Sequence, residues 1–94
     1  MTIRFAAETI WWKGPAPFVY LPIPEEASAE IRALSRDLSY GWGAIPVTAT
    51  IGASSWTTSL FPKDGRYLVP VKKVVQVAEG VTVGATVTVE VELG

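Results

Sequence analysis

Residues 59–80 read SLFPKDGRYLVPVKKVVQVAEG, and this passage decides the fold. A strand-like run stops at Pro62, the Lys-Asp-Gly segment at 63–65 predicts a turn, and residues 66–70 predict a second strand. The chain then changes from alternating to helical spacing. The passage therefore predicts a β-hairpin that leads directly into a short helix.

The predicted short helix begins at Pro70. Its apolar residues recur at the i, i+3, i+4, i+7 spacing of one buried face, and Gly80 is placed to cap its end. These apolar residues are Val71, Val74, Val75 and Ala78. Because valine is a poor helix former, packing must hold this helix in place.

Alternating apolar residues predict strands at both ends of the chain. Near the start they are Ile3, Phe5 and Ala7, and near the end they are Val87, Val89, Val91 and Leu93. A threonine-rich hairpin is predicted around a turn at 52–54. Residues 17–23 carry apolar side chains on both faces, which predicts a strand that is covered on both sides.

A longer helix is predicted from Pro24 onward. Proline suits the first helical position, and Glu25 and Glu26 complement the positive end of the helix dipole. The predicted buried stripe is Ala27, Ile31, Leu34 and Leu38. Residues 1–94 thus predict a single, mainly β domain, a β-barrel of about six strands with one longer and one short α-helix.

Composition excludes several chemistries. The chain has no Cys and no His, which removes thiol and imidazole nucleophiles, disulfides and the usual zinc ligands. We expect no metal and no cofactor. The net charge of −1 argues against a large nucleic-acid footprint, although Lys63, Arg66, Lys72 and Lys73 form a local basic patch.

Hydropathy indicates the compartment. No apolar run approaches the roughly 20 residues that a membrane-spanning helix needs. The N-terminus alternates charged and apolar residues instead of forming an apolar signal segment. We expect a cytoplasmic protein that does not bind membranes.

Several motifs resemble one family. The segments GWGAIPVTATIG, WTTSLFPKDGRYLVPVKKVVQVAEGV and VTVEVEL, with WKGPAPFVYLPIPEEASAEI upstream, closely resemble domain of unknown function 1905. The resemblance covers nearly the whole chain and implies a small six-stranded β-barrel with a helix.

The order Gly65-Arg66, strand, Pro70, helix, Gly84, strand is also similar to the swapped-hairpin barrels of AbrB-type transcription regulators and antitoxins. Those proteins usually have Gly-Asp where this chain has Gly84-Ala85. We interpret this similarity as shared architecture.

The predicted ligand site lies at one end of the barrel. Trp42 and Trp56 would supply apolar walls, and Arg66 and Lys72 a positive pole, for a small anion or an aromatic acid. The competing interpretation is that the indoles are core or rim residues and the lysines ordinary surface charges. Trp11 and Trp12 face opposite sides of a strand, so one of them is expected to be exposed and to mark a partner surface.

The sequence thus predicts a non-catalytic binding module for a small ligand or a protein partner, existing as a monomer or a weak homodimer. One alternative is a nucleic-acid-binding regulator that uses the patch at 63–73. A second alternative is a small-molecule enzyme that uses Lys72.

Overall fold

The structure is a computed structural model and describes residues 1–13, 18–38 and 45–93. The mainly β prediction is confirmed, and the described residues form seven strands where about six were expected. The elements in chain order are β1 (Thr2–Glu8), β2 (Ile10–Trp12), β3 (Phe18–Pro22), α1 (Glu25–Leu38), β4 (Ile45–Ile51), β5 (Ser54–Lys63), β6 (Arg66–Val71), α2 (Lys73–Glu79) and β7 (Thr86–Leu93).

The strands form one curled sheet, a half-barrel, in the order β1-β7-β4-β5-β6-β3-β2. Every pairing in it is antiparallel. The two edge strands, β1 and β2, are consecutive in the chain and are separated only by Thr9. The first predicted strand is therefore divided between the two edges, which accounts for the seventh strand.

Thr9 holds the chain in place between the end of β1 and the start of β2. Its side chain is buried and its hydroxyl donates to the backbone oxygens of Thr82 at 2.5 Å and Ala85 at 3.3 Å. Its N–H donates to Ala85 and its carbonyl accepts from the Gly84 N–H. These bonds satisfy the polar groups of a buried threonine where pairing changes from β7 to β3.

The concave side of the sheet holds the core. On β7 the inward residues are Val89, Val91 and Leu93, as the alternation predicts, and each is at most 3% exposed. They pack with buried residues of β3 to β6 and with Ile31 and Val75 of the two helices. The outward residues of β7 alternate as predicted and are exposed.

Helix α1 differs from the predicted stripe. Ile31 is fully buried and Ala27 half-buried, but Leu34 is 40% exposed, and the side chain of Leu38 lies outside the described part. Ser28 is buried instead, because its hydroxyl donates to the Ile23 carbonyl at 3.1 Å and accepts from the Tyr67 N–H at 3.2 Å. Two backbone contacts thus turn this helix away from its most apolar orientation.

Helix α2 also corrects the prediction. Pro70 and Val71 belong to β6, and the helix begins at Lys73. Val75 is buried, whereas Val74 is 71% exposed and Ala78 is exposed. Gly80 caps the helix in the left-handed conformation at φ 64°, as predicted.

Glycine is required at the β4–β5 turn. Gly52 has a φ of 56°, and a Cβ there would lie 2.2 Å from Glu79 Oε1. The other carboxylate oxygen of Glu79 accepts a hydrogen bond from the Ser54 hydroxyl at 2.6 Å. The Glu79 carboxylate therefore links the end of α2 to the hairpin turn and lies close to the Gly52 backbone.

Candidate functional site

Strands β2, β3, β6 and β5 carry a second apolar surface on their convex side. Ile10 pairs with Tyr20, and Leu68 pairs with both Pro22 and Phe61, so these residues share one face of the sheet. Tyr20 is 2% and Leu68 3% exposed, although both point away from the core. The sequence-based prediction of a strand covered on both sides is thus confirmed for β3.

Three rings cover this surface. Trp12 lies edge-to-face with Tyr20 at a centroid distance of 5.4 Å and with Phe61 at 6.3 Å, and Tyr20 and Phe61 are 6.5 Å apart. Edge-to-face pairs at these distances are favourable beyond their buried area. Burial removes water from the Tyr20 phenol and raises its pKa above the ordinary value of 10.0. We call Trp12, Tyr20 and Phe61 the aromatic cluster.

Lys63 borders the aromatic cluster. Its ammonium lies 5.1 Å from the Trp12 ring centroid, within the range of a cation–π contact. The same ammonium pairs with Asp64 Oδ2 at 2.9 Å. Asp64 occupies the turn with a positive φ of 49°. Lys63 is therefore held by an aromatic face and a carboxylate together.

A cavity of about 380 Å³ opens beside the aromatic cluster, and Lys63 lines it. Its lining combines three apolar residues with two positive and two negative side chains. We call it the outer cavity; its lining residues are Ile10, Pro22, Glu25, Lys63, Asp64, Arg66 and Leu68. A concave apolar site with a few polar groups is typical of small-ligand binding.

Arg66 is the second positive charge that lines the outer cavity. Its Nε donates to the Ile23 carbonyl at 3.2 Å, which fixes the guanidinium at the start of β6. Among the described residues, no carboxylate lies within ion-pairing distance of Arg66. The terminal nitrogens of a guanidinium form a fork that matches a carboxylate or a phosphate. Arg66 can therefore accept an external oxyanion.

The backbone under the outer cavity is fixed by hydrogen bonds. The Ile23 N–H donates to the Tyr67 carbonyl at 2.9 Å, and Ser28 bridges the same two residues. Arg32 of α1 donates through Nη2 to the Gly65 carbonyl in the β5–β6 turn. Ser28 and Arg32 of α1 thus hold the start of β6 and the β5–β6 turn, where Lys63, Asp64 and Arg66 lie.

A larger depression, of about 410 Å³, lies on the convex side of β1, β7 and β4. It is lined by Arg4, Thr50, Gly52, Thr88 and Glu90. In the strand register Glu90 lies opposite both Arg4 and Thr50, so the wall is a row of polar side chains across three strands. The described residues that line this depression include no aliphatic or aromatic side chain, and we regard the smaller outer cavity as the better ligand site.

The structure separates the residues of the predicted site. Trp42 lies outside the described residues. Trp56 is 6% exposed and its indole N–H donates to the Pro70 carbonyl at 3.0 Å, so it belongs to the core. Arg66 begins β6 and Lys72 follows its end, roughly 20 Å along the strand at about 3.3 Å per residue. The structure does not bring Arg66 and Lys72 together, and the four-residue site stays a prediction.

The basic patch at 63–73 is divided in the same way. Lys63 and Arg66 flank the β5–β6 turn, while Lys72 and Lys73 lie at the start of α2. Of the two adjacent tryptophans, Trp11 is the exposed one, at 57%, which confirms that one of them faces solvent.

Sequence reasoning missed Trp12, Tyr20 and Phe61 as one cluster. Residues 17–23 did carry a signal, because a strand that is apolar on both faces must be covered on both sides. The sequence did not show that β2 and β6 both pair with β3. This pairing places the other residues of the aromatic cluster near Tyr20.

Within the described ranges, no group of three or more acidic residues is arranged to hold a metal ion. Of the helices that the structure describes, neither α1 nor α2 has the length and apolar character to cross a membrane.

The fold defines the class: a small curled β half-barrel with two helices. A family model described as Domain of unknown function (DUF1905) matches residues 5–91, and the chain belongs to this family. The comparison with curated proteins gives no match.

Proposed function

We propose that this domain binds a small carboxylate that carries a compact apolar or aromatic body, and that the outer cavity is its binding site. One observation carries the proposal: Arg66 is half-buried and fixed, has no ion pair within the described part of the chain, and lines a cavity together with three apolar residues. The carboxylate would pair with Arg66.

The apolar body has a matching surface. Ile10, Pro22 and Leu68 line the outer cavity, and the aromatic cluster adjoins it at Lys63. The volume of about 380 Å³ is within the range of roughly 300–1,000 Å³ that is usual for ligand pockets. A one-ring acid fits this volume.

The rim favours a ligand with a single negative charge. Asp64 already pairs with Lys63, and Glu25 adds a second carboxylate to the rim. A phosphate dianion or a nucleic-acid backbone would bring more negative charge against these two groups than Arg66 offsets. The division of the basic patch between the two ends of β6 supports the same preference.

The proposed module is non-catalytic. Lys72, the residue of the enzyme alternative, is exposed at the other end of β6 and does not line the outer cavity. A reaction at Lys72 would therefore need a separate site.

The test is a titration with benzoate, followed by tryptophan fluorescence and by thermal shift. Benzamide is the matched neutral probe and acetate is the matched anion without a ring. We expect benzoate to bind more tightly than either, Arg66→Lys to weaken binding at least about tenfold, and Lys72→Ala to leave it unchanged. Equal binding of benzoate and benzamide, or binding that is indifferent to Arg66→Lys in a folded variant, contradicts the proposal.

A further inference from the structure

The outer cavity brings two charges of opposite sign together without an ion pair. Its described lining carries two positive and two negative side chains. Lys63 and Asp64 pair with each other at 2.9 Å, and Lys63 also contacts the Trp12 ring. Within the described part of the chain, neither Arg66 nor Glu25 has an oppositely charged group within ion-pairing distance. One cation and one anion of the cavity can therefore pair with a ligand.

Both of these side chains are placed by the same backbone segment. The Ile23 carbonyl accepts the hydrogen bond from Arg66 Nε at 3.2 Å, and Glu25, the first residue of α1, follows two residues later. Ser28 of the same helix holds this segment, since its hydroxyl donates to the Ile23 carbonyl at 3.1 Å. The guanidinium and the carboxylate are therefore attached to neighbouring points of a fixed backbone and line one cavity.

We infer that the ligand of the outer cavity is a free α-amino acid with an apolar side chain, an inference that rests on the proposed function and narrows it. The ligand carboxylate pairs with Arg66, and the ligand ammonium pairs with Glu25. The apolar side chain packs against Ile10, Pro22 and Leu68, which line the same cavity. An α-amino acid carries all three groups on one carbon atom, so it presents them together to one small site.

The charge balance of the outer cavity favours a zwitterion over a simple acid. Its described lining has as many positive as negative side chains, so a ligand without net charge leaves the balance unchanged. A simple carboxylate pairs with Arg66 but also meets the carboxylates of Glu25 and Asp64. An ammonium on the ligand changes the interaction with Glu25 from repulsion to attraction.

The helix dipole of α1 does not reverse this preference. The N-terminal end of a helix carries about half a positive charge, which alone would disfavour an ammonium. The first turn of α1 contains two carboxylates, Glu25 and Glu26. Their combined charge exceeds the partial charge of the dipole, so the field near Glu25 suits a cation.

The first test compares three ligands on the unmodified chain by amide chemical-shift titration. Phenylalanine carries both charges, 3-phenylpropionate lacks the ammonium and phenethylamine lacks the carboxylate, while the ring and its spacing from the charged groups stay the same. We expect phenylalanine to bind roughly two- to fivefold more tightly than 3-phenylpropionate, the gain typical of an exposed ion pair. Phenethylamine should bind most weakly, because it cannot pair with Arg66.

The second test assigns this gain to Glu25. Glu25→Gln keeps the size of the side chain and removes its charge, so in this variant phenylalanine should lose its advantage over 3-phenylpropionate. The matched control is Glu26→Gln, the neighbouring exposed carboxylate of the same helix turn, which is not among the described residues that line the outer cavity. This control should keep the advantage. Each readout is a ratio of two affinities for one protein, so a change in stability does not imitate it.

The outcomes for this inference and for the proposed function can be told apart. If 3-phenylpropionate binds in a manner that depends on Arg66 but phenylalanine binds no more tightly, the amino-acid inference is wrong and the proposed function stands. A phenylalanine advantage that persists in Glu25→Gln, or that is lost equally in Glu26→Gln, also overturns the inference. If neither carboxylate binds, or if both bind folded Arg66→Lys as tightly as the wild type, the inference and the proposed function fail together.

Discussion

The convex side of the sheet has two halves with opposite chemistry. On β1, β7 and β4 it is a solvated row of Thr, Glu and Arg side chains, as in the Arg4–Glu90–Thr50 row. On β2, β3 and β6 it is apolar, with Tyr20 and Leu68 almost fully buried. An antiparallel sheet needs only one covered face. The second covered face is therefore the part of the molecule where a function beyond folding is expected.

Both halves share the concave core, and disrupting this core should lower the free energy of unfolding the most. Val89→Asp should unfold the domain, because an unpaired buried carboxylate costs several kcal/mol against a total stability of roughly 5–10 kcal/mol. Val89 is 1% exposed in the centre of β7. Circular dichroism checks the result. A folded Val89→Asp protein of unchanged melting temperature would contradict the core assignment.

Truncation of a side chain to alanine should lower the free energy of unfolding more in the apolar convex half than in the polar one. Leu68→Ala should lower the free energy of unfolding by about 2–4 kcal/mol, since it empties a buried position. Thr88→Ala, on the exposed side of β7 in the polar half, should change it by less than about 0.5 kcal/mol. Urea denaturation measures both variants. Equal losses would remove the distinction between the two halves.

Much of this contrast could be read from the sequence. The alternation of residues 86–93 predicted the inward valines of β7, and residues 17–23 predicted a strand with two apolar faces. The orientation of the helices could not be predicted, because contacts distant in sequence set it. Ser28 turns α1 through bonds to Ile23 and Tyr67, and Gln76 and Glu79 attach α2 by its polar side.

The candidate site was predictable only in part. Arg66 was identified, but its apolar partners come from β2 and β3, whose register with β6 no local pattern specifies. Trp56 was expected at a pocket, and the structure places it in the core, where the Pro70 carbonyl accepts its indole N–H. Pro70 has no N–H of its own to pair, which suits a position where β6 has parted from β5.

Within the apolar half, the contact of Lys63 with the aromatic cluster should have a smaller effect on stability. A double-mutant cycle of Lys63→Met and Trp12→Leu should give a coupling of about 0.5–1 kcal/mol, as expected for a partly exposed cation–π pair. A matched cycle of Lys63→Met and Asp64→Asn separates the ion pair from the cation–π contact. A coupling free energy of zero between Lys63 and Trp12 would show that the cation–π contact does not contribute to stability.

The smallest effect concerns pH. Burial raises the pKa of Tyr20 above 10.0, so above pH 10 the unfolded chain loses this proton before the folded chain does. The contribution of Tyr20 to the free energy of unfolding is therefore constant below pH 10, and it decreases as the pH rises further. Tyr20→Phe should show a shallower decline than the wild type between pH 10 and the raised pKa. Parallel declines in thermal unfolding would contradict this assignment.

We propose that the ligand binds to the apolar convex half of the sheet and not to the polar one. Backbone amide chemical-shift mapping during a benzoate titration tests it most directly. We expect saturable shifts confined to β2, β3, the β5–β6 turn and the start of β6, and their loss in Arg66→Lys. Shifts centred on Arg4, Thr50 and Glu90, or shifts unaffected by Arg66→Lys, would contradict it.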